Sequence, residues 1–324
     1  MKRIARILAL TLVLALLGVA AASAQEDVIN IGIIQLVQHD ALDAACEGFI
    51  AALADNGYED GGKIAIDFQN GQGDQSNLST IADRFVSKNV DLVLAIATPA
   101  ALAIAGKTTD IPILATAVTD FVEARLVESN EAPGTNVSGT TDMASIEDQI
   151  ALISVLVPEA KTVGVLYNSG EVNSVVQAQE AKCCIEALGY AYAEKTVTNS
   201  NEVQQATESI VRQVDCLYIP TDNVLAASMP IVYGVTVESK TPVICGESGM
   251  VLNGGLATLG INYYNLGYQT GEMAVRLLQD DALDISTMPV EKQTDFDYAI
   301  NATVAREIGV EIPGELQQYA TEME

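Results

Sequence analysis

Tryptophan is absent from these 324 residues, histidine occurs once, and basic side chains number 16 against 43 acidic ones. Each shortage excludes something. A net charge of −27 has the wrong sign for binding nucleic acid and equally for docking on an anionic membrane. One histidine, His39, cannot build a multi-histidine metal site, and any serine triad would have to use it. The cysteines, Cys46, Cys183, Cys184, Cys216 and Cys245, are odd in number and lack metal-ligand spacing, so neither a disulfide framework nor a zinc site is indicated. Cys46, Cys216 and Cys245 sit in apolar patterns and read as small buried hydrophobes. Low-complexity tracts are missing too, and with 49% hydrophobic and 18% charged residues the chain is expected to fold into about two domains.

Lys2, Arg3 and Arg6 precede an apolar run from Ile7 to Ala22, and Ala22-Ser23-Ala24 supplies a small-x-small cleavage pattern. Residues 1–24 therefore read as a signal peptide cleaved near Ala24, since the run is short for a membrane anchor and ends in small residues. No cysteine follows for lipid attachment, and no later stretch is long and apolar enough to span a bilayer. The expected product is periplasmic or secreted.

Periodicity then alternates between strand and helix. Asn30–Leu36 is a short apolar run, and Leu42–Gly57 an amphipathic helix with Leu42, Ala45, Phe49, Ala52 and Leu53 on one face. Strand patterns follow at 63–69, 91–97 and 111–118, with helices over 77–88 and from Pro99. The order repeats downstream: strands at 162–167, 192–198, 215–220 and 242–246, helices at 171–188, 200–213 and 224–238. Strands alternating with helices of this length imply right-handed crossovers and parallel sheets, so the expected fold is α/β with two doubly wound lobes built to one plan.

Ligands of such sheets bind outside the carboxyl ends of the strands. The polar residues there are Gln35 with His39, Thr98-Pro99-Ala100, and Thr119-Asp120 in the first half, and Asn168, Thr221-Asp222-Asn223 and Glu247-Ser248 in the second. Any one of them could be an ordinary cap or turn residue; recurrence at all six ends favours a cleft. Thr98-Pro99-Ala100 opens a helix, where amides and the helix dipole attract a carboxylate, and Asp222 and Glu247 could hold an ammonium. The pair describes a clamp for a zwitterion.

Catalytic motifs fail. Gly246-Glu247-Ser248-Gly249-Met250 lacks the last glycine of a nucleophile elbow, Gly106-Lys107-Thr108 ends a segment with Ala101 where a phosphate loop needs glycine, and Gly71-Gln72-Gly73 is followed by Ser76 in place of the third glycine of a dinucleotide fingerprint. No enzymatic activity, metal or cofactor is expected.

Several segments, in order, carry a resemblance: Ile31-Gly32-Ile33-Ile34-Gln35 with His39 and Ala41-Leu42-Asp43, Gly71-Gln72-Gly73-Asp74, Ala97-Thr98-Pro99-Ala100, Ala117-Val118-Thr119-Asp120, Gly164-Val165-Leu166-Tyr167-Asn168, Pro220-Thr221-Asp222-Asn223 and Gly260-Ile261-Asn262-Tyr263-Tyr264. From about Asn30 to Ile312 the chain resembles the ABC transporter substrate-binding proteins of the tryptophan/tyrosine type, which have the type I periplasmic-binding-protein fold. The resemblance implies two lobes joined by a three-segment hinge, crossing near Asn136–Asp142, Gly260–Asn265 and Met288–Lys292, with a helix from Leu266 to Gln279 returning to the first lobe and lobes of 28–140 plus 263–289 and 141–262 plus 290–324. It also implies an aromatic, branched or other hydrophobic amino acid as ligand, and delivery to an ABC permease with its ATPase. A monomer is expected. The candidate ligand-binding set is Gln35, His39, Asp43, Thr98, Pro99, Ala100, Thr119, Asp120, Tyr167, Asn168, Ser174, Asp222, Asn223, Glu247 and Ser248, with Tyr167 either a stacking ring or a core residue. The alternative function is a ligand-sensing module feeding a chemoreceptor or kinase.

Overall fold

The computed structural model describes residues 28–280, 282–294 and 296–322, so the expected signal peptide lies outside the described residues. The first half builds β1 (Ile29–Gln35), α1 (Asp40–Asp55), β2 (Ile64–Asn70), α2 (Gln75–Lys88), β3 (Leu92–Ile96), α3 (Thr98–Ala105), β4 (Ile113–Val118) and β5 (Val137–Thr141). Their sheet is parallel, in the order β2-β1-β3-β4-β5, with β11 (Glu291–Lys292) added beyond β5. Central strands of such a sheet are covered on both faces, which is why Ile31, Ile33 and Ile34 in β1 and all of β3 are apolar and buried, whereas edge strand β2 leaves Phe68 exposed.

The second half repeats the plan. It comprises α4 (Ile146–Leu156), β6 (Thr162–Asn168), α5 (Val172–Ala187), β7 (Ala191–Val197), α6 (Val203–Ile210), β8 (Cys216–Ile219), α7 (Asn223–Ala227), α8 (Met229–Ser239), β9 (Val243–Cys245), α9 (Ser248–Leu252) and β10 (Ala257–Gly260). The order β7-β6-β8-β9-β10 matches the first sheet position for position, and β12 (Asp297–Asn301), antiparallel to β10, and β13 (Ala320–Thr321) extend it, with α11 (Ala302–Ile308) between them. Core residues divide between the two faces: Val163, Val165 and Tyr218 pack under α4 and α5, and Leu166, Leu217 and Ile219 under α6 and α8.

The expected helix over 224–238 is two helices meeting at Ser228. Pro230 has no N–H to donate back, and the break lets Ser228 accept from Ile231 and Val232 instead. The helix expected from Leu266 begins earlier, at Tyr263, because Asn262 caps it by accepting from the Asn265 amide at 3.0 Å; this is α10 (Tyr263–Gln279).

Three passages connect the lobes: β5 to α4, β10 to α10, and β11 to β12. α10 lies against α1 in the first lobe so closely that a Cβ on Gly267 would stand 1.9 Å from the Ala45 carbonyl oxygen. Glu291 of β11 is held by Arg276 and by Gln269 of α10, the latter at 2.8 Å. The crossings are thus braced by one helix.

Candidate functional site

Among the described residues, the carboxyl ends of the two sheets face each other across a small, nearly closed cavity lined by residues of both lobes. Of the sequence candidates, His39, Thr119, Asp222, Asn223 and Glu247 line it. Thr221, named with them at the end of its strand, lines it too, and so do Leu42, Ala117, Asp142, Asn173, Ala226, Met250 and Tyr263, which were outside the candidates. A larger, open groove lies at the opposite ends of β3, β4 and β5, against Asp91, Pro112 and Asn136, but none of the buried polar atoms without partners among the described residues belongs to it.

His39 is the N-cap residue of α1, in extended backbone, yet its ring caps nothing. It reaches across the cleft, and Nε2 lies 3.2 Å from Asn223 Oδ1. The orientation of Asn223 is fixed by its Nδ2, which donates to the Glu171 carboxylate at 2.5 Å, an acceptor only. Oδ1 therefore faces the ring, His39 Nε2 donates, and Nδ1 is a bare acceptor, buried and with no partner among the described residues. Burial lowers the His39 pKa, which keeps the ring neutral.

Two further contacts close the lobes. Gln177 Nε2 donates to Thr119 Oγ1 of the first lobe at 3.2 Å and to Thr221 Oγ1 at 2.5 Å, and Asn253 Nδ2 donates to Asp40 Oδ2 at 2.7 Å. The remaining candidates are distributed around this centre. Gln35 Nε2 donates to Asp43 at 2.6 Å behind His39, and Asn168 donates through its side chain to Glu171 at 3.1 Å. Ser174 is buried beside Asn173, whose amide donates to its hydroxyl at 3.3 Å. Ser248 opens α9 behind Glu247. Asp120 turns away, accepting from the amides of Val122 and Glu123 at 2.9 and 3.0 Å as a turn residue.

At the start of α3 the carboxylate-binding expectation needs correction in part. The Ala100 amide already donates to the Ala97 carbonyl at 3.0 Å and Pro99 has no N–H, so the side-chain group left open there is the Thr98 hydroxyl, buried with no partner among the described residues. Of the two readings of Tyr167, its place in the strand supports the core one. It shares a face of β6 with Val163 and Val165, as the two-residue strand period requires, and packs on the core under α4 and α5; the ring that reaches the cavity is Tyr263. Ala97 and Ala117 hold left-handed backbone at φ 82° and 54°, a strained conformation for alanine placed at the ends of β3 and β4 beside the cleft.

The electrostatics are one-sided. Among the described residues no lysine or arginine lines the cavity, whereas Asp142, Asp222 and Glu247 do. Burial, reinforced by the Glu171 charge, pushes the Asp222 carboxyl up to about 7. Burial also pushes Glu247 up to about 7, against the amides of Gly249 and Met250 that favour its charged form, with Asp40 and Asp142 adding repulsion. Asp142 is raised by burial against the pull of the Tyr263 and Thr119 hydroxyls. A cation entering this cavity would meet three buried carboxylates with no competing protein cation. The apolar part of the wall, Leu42, Ala226, Met250 and the Tyr263 ring, suits a flat hydrophobic group.

Two doubly wound lobes shut on a polar cavity, with three crossings between them, define a solute-binding protein of the type I periplasmic-binding fold. The chain belongs to the ABC transporter substrate binding protein family, whose model matches residues 30–324. It is 48% identical over 272 residues to the tyrosine-binding protein of Clostridioides difficile (strain R20291), covering 84% of this chain and 78% of that one. Among solved structures it is similar to the ABC domain from Streptococcus pneumonia in complex with L-Trp, at 35% identity, 92% of this chain and 100% of that one, with a TM-score of 0.87. The ligand-free, open structure of a substrate-binding protein with adhesive properties from Clostridium difficile is 47% identical over the same shares but has a TM-score of 0.70. The chain described here therefore agrees in structure more with the L-Trp complex than with the open, ligand-free relative.

Proposed function

We propose that this protein is the extracytoplasmic receptor of an ABC uptake transporter for an aromatic amino acid, L-tyrosine first among them. The observation that carries the reading is the interlobe cavity, which among the described residues presents three buried carboxylates and no lysine or arginine, together with apolar and aromatic wall residues. The ammonium goes to the carboxylate side and the ring lies against Met250, Leu42 and Tyr263. The Thr98 hydroxyl, buried with no partner among the described residues, receives the ligand's carboxylate. His39 Nδ1 and Asn173 Oδ1 are further buried acceptors open to a donor on the ligand. The 48% identical relative named for tyrosine and the L-Trp complex at 35% identity support the choice of ligand class.

In this reading the protein binds without turnover. Its neutral histidine faces an asparagine amide, which cannot relay a proton as a carboxylate partner would. The signal peptide is cleaved near Ala24, the lobes 28–140 plus 263–289 and 141–262 plus 290–324 close on the solute, and the loaded monomer docks on a permease driven by a separate ATPase. Closure is a population shift toward the form in which both lobes touch ligand.

The test begins with protein unfolded in denaturant to strip carried-over solute and then refolded. A thermal-shift scan of the twenty amino acids, small carboxylates and nucleosides follows. L-tyrosine is expected to raise the melting temperature, with the rise growing as the logarithm of ligand excess. Stabilisation by a sugar or nucleoside with none by any aromatic or branched amino acid would overturn the ligand class.

A further inference from the structure

We propose that Asp142, on the first crossing between the lobes, is the residue that holds the ligand's ammonium group, with Tyr263 as its positioning partner. The inference rests on the amino-acid receptor reading and deepens it. Three carboxylates line the cavity, and their free lone pairs differ. Both oxygens of Asp222 serve backbone amides, Oδ1 that of Leu225 at 2.9 Å and Oδ2 that of Asn168 at 2.5 Å. Both oxygens of Glu247 cap α9, Oε1 accepting from Met250 at 2.8 Å and Oε2 from Gly249 at 2.5 Å. These two side chains have structural employment with or without ligand.

Asp142 is arranged differently. Its Oδ2 accepts from the Tyr263 hydroxyl at 2.7 Å, whereas Oδ1 has no hydrogen-bond partner of good geometry among the described residues, the Thr119 hydroxyl being only near enough to favour the charged carboxylate, although the residue is only 4% exposed. A buried carboxylate oxygen left without a donor is costly, and polar groups this deeply buried are ordinarily paired. An ammonium is all donor, with three N–H groups to give, and so complements an unpaired acceptor on a charged group. Tyr263, itself in the cavity wall, holds the opposite oxygen and so fixes the plane in which Oδ1 is presented.

The position matters as much as the chemistry. Asp142 directly follows β5, where its amide donates to the Val118 carbonyl at 3.1 Å, and Tyr263 opens α10 directly after the second crossing. One hydrogen bond therefore joins two of the three interlobe passages, and a ligand seated on Asp142 sits at the hinge. Recognition of the ammonium and the angle between the lobes are then set by the same side chain.

The test is calorimetric titration of the refolded full chain with L-tyrosine and with its des-amino analogue, 3-(4-hydroxyphenyl)propionate. The wild type is expected to prefer L-tyrosine by about 100-fold or more. Asp142→Asn, nearly isosteric, should remove that preference by weakening L-tyrosine about 100-fold while leaving the analogue within about threefold. Glu247→Gln, which disturbs a helix cap, should weaken both ligands by a common factor. A preference retained in Asp142→Asn, or lost in Glu247→Gln instead, overturns the assignment. If Asp142→Asn does not fold, Tyr263→Phe decides: a roughly fivefold loss for L-tyrosine alone supports the proposal, and equal losses or none overturn it. A wild type that binds no amino acid fails the receptor reading itself and the assignment with it. A wild type that binds L-tyrosine beside an unaffected Asp142→Asn fails the assignment alone.

Discussion

His39 and Asn223 meet across the cleft, ring nitrogen to amide oxygen at 3.2 Å, and so tie the two lobes together directly. One partner leads into α1 of the first lobe and the other opens α7 of the second, so the bond belongs to closure and not to either lobe's fold. A buried neutral hydrogen bond contributes about 1 kcal/mol. His39→Ala is therefore expected to weaken L-tyrosine binding about fivefold, chiefly through faster release. Stopped-flow measurement of the dissociation rate checks this, and an unchanged rate would remove the contact from the account of closure.

Protons should compete with ligand for the closed form. Opening the cleft is expected to solvate Asp222 and Glu247 and return them toward ordinary carboxylate behaviour, whereas in the closed form burial raises each to about 7. A group whose pKa is raised in one state favours that state fully at pH below the ordinary carboxylate range, and the advantage is lost as pH rises through about 7. The empty protein should therefore be more compact at pH 5 than at pH 8. Small-angle scattering on refolded, ligand-free protein gives the radius of gyration at both, and saturating L-tyrosine should largely abolish the difference. Greater compactness at pH 8 would contradict the direction.

The alternation of buried strands with amphipathic helices was legible because parallel strands covered on both faces must be apolar runs. The same rule explains what was not. β5 reads Val-Ser-Gly-Thr-Thr, and its buried hydroxyls are satisfied by hydrogen bonds: Ser138 donates to the Met288 carbonyl at 2.7 Å, and Thr140 lies 3.0 Å from Thr116 and 2.7 Å from Thr270. A strand held this way leaves no hydrophobic signature, so its carboxyl end, Asp142, was absent from the strand-end candidates. Tyr263 was missed because α10 was expected one turn later; Asn262, a good capping residue, was the available signal. His39, Thr119, Asp222, Asn223 and Glu247 were legible because each follows a strand that does carry the pattern.

Tyr167 offers a test of the boundary between core and cleft. Its ring lies on the face of β6 that carries Val163 and Val165, and burial together with the nearby Glu194 charge raises its phenol. Tyr167→Phe removes the hydroxyl and keeps the ring, so L-tyrosine affinity by calorimetry should stay within about twofold of the wild type. A tenfold loss with an unchanged melting temperature would bring Tyr167 back into the site.

The return helix α10 supplies a prediction in which two effects oppose. Alanine is the better helix former, and by propensity alone Gly267→Ala should stabilise by up to about 1 kcal/mol. Packing says the reverse. The added Cβ would stand 1.9 Å from the Ala45 carbonyl oxygen, and Gly48 on the facing helix is as tightly placed, 2.0 Å from the Tyr264 oxygen by the same construction. The obstacle in both cases is backbone, which no rotamer change can move aside, so α1 and α10 would have to separate along their contact. Overpacking of this kind costs about 1–3 kcal/mol, enough to outweigh the propensity gain. Because α10 also braces β11 through Glu291, separation should loosen the hinge as well. Urea unfolding of Gly267→Ala should give a lower midpoint with the slope unchanged, and a higher midpoint would show that propensity, and not backbone contact, governs this helix pair.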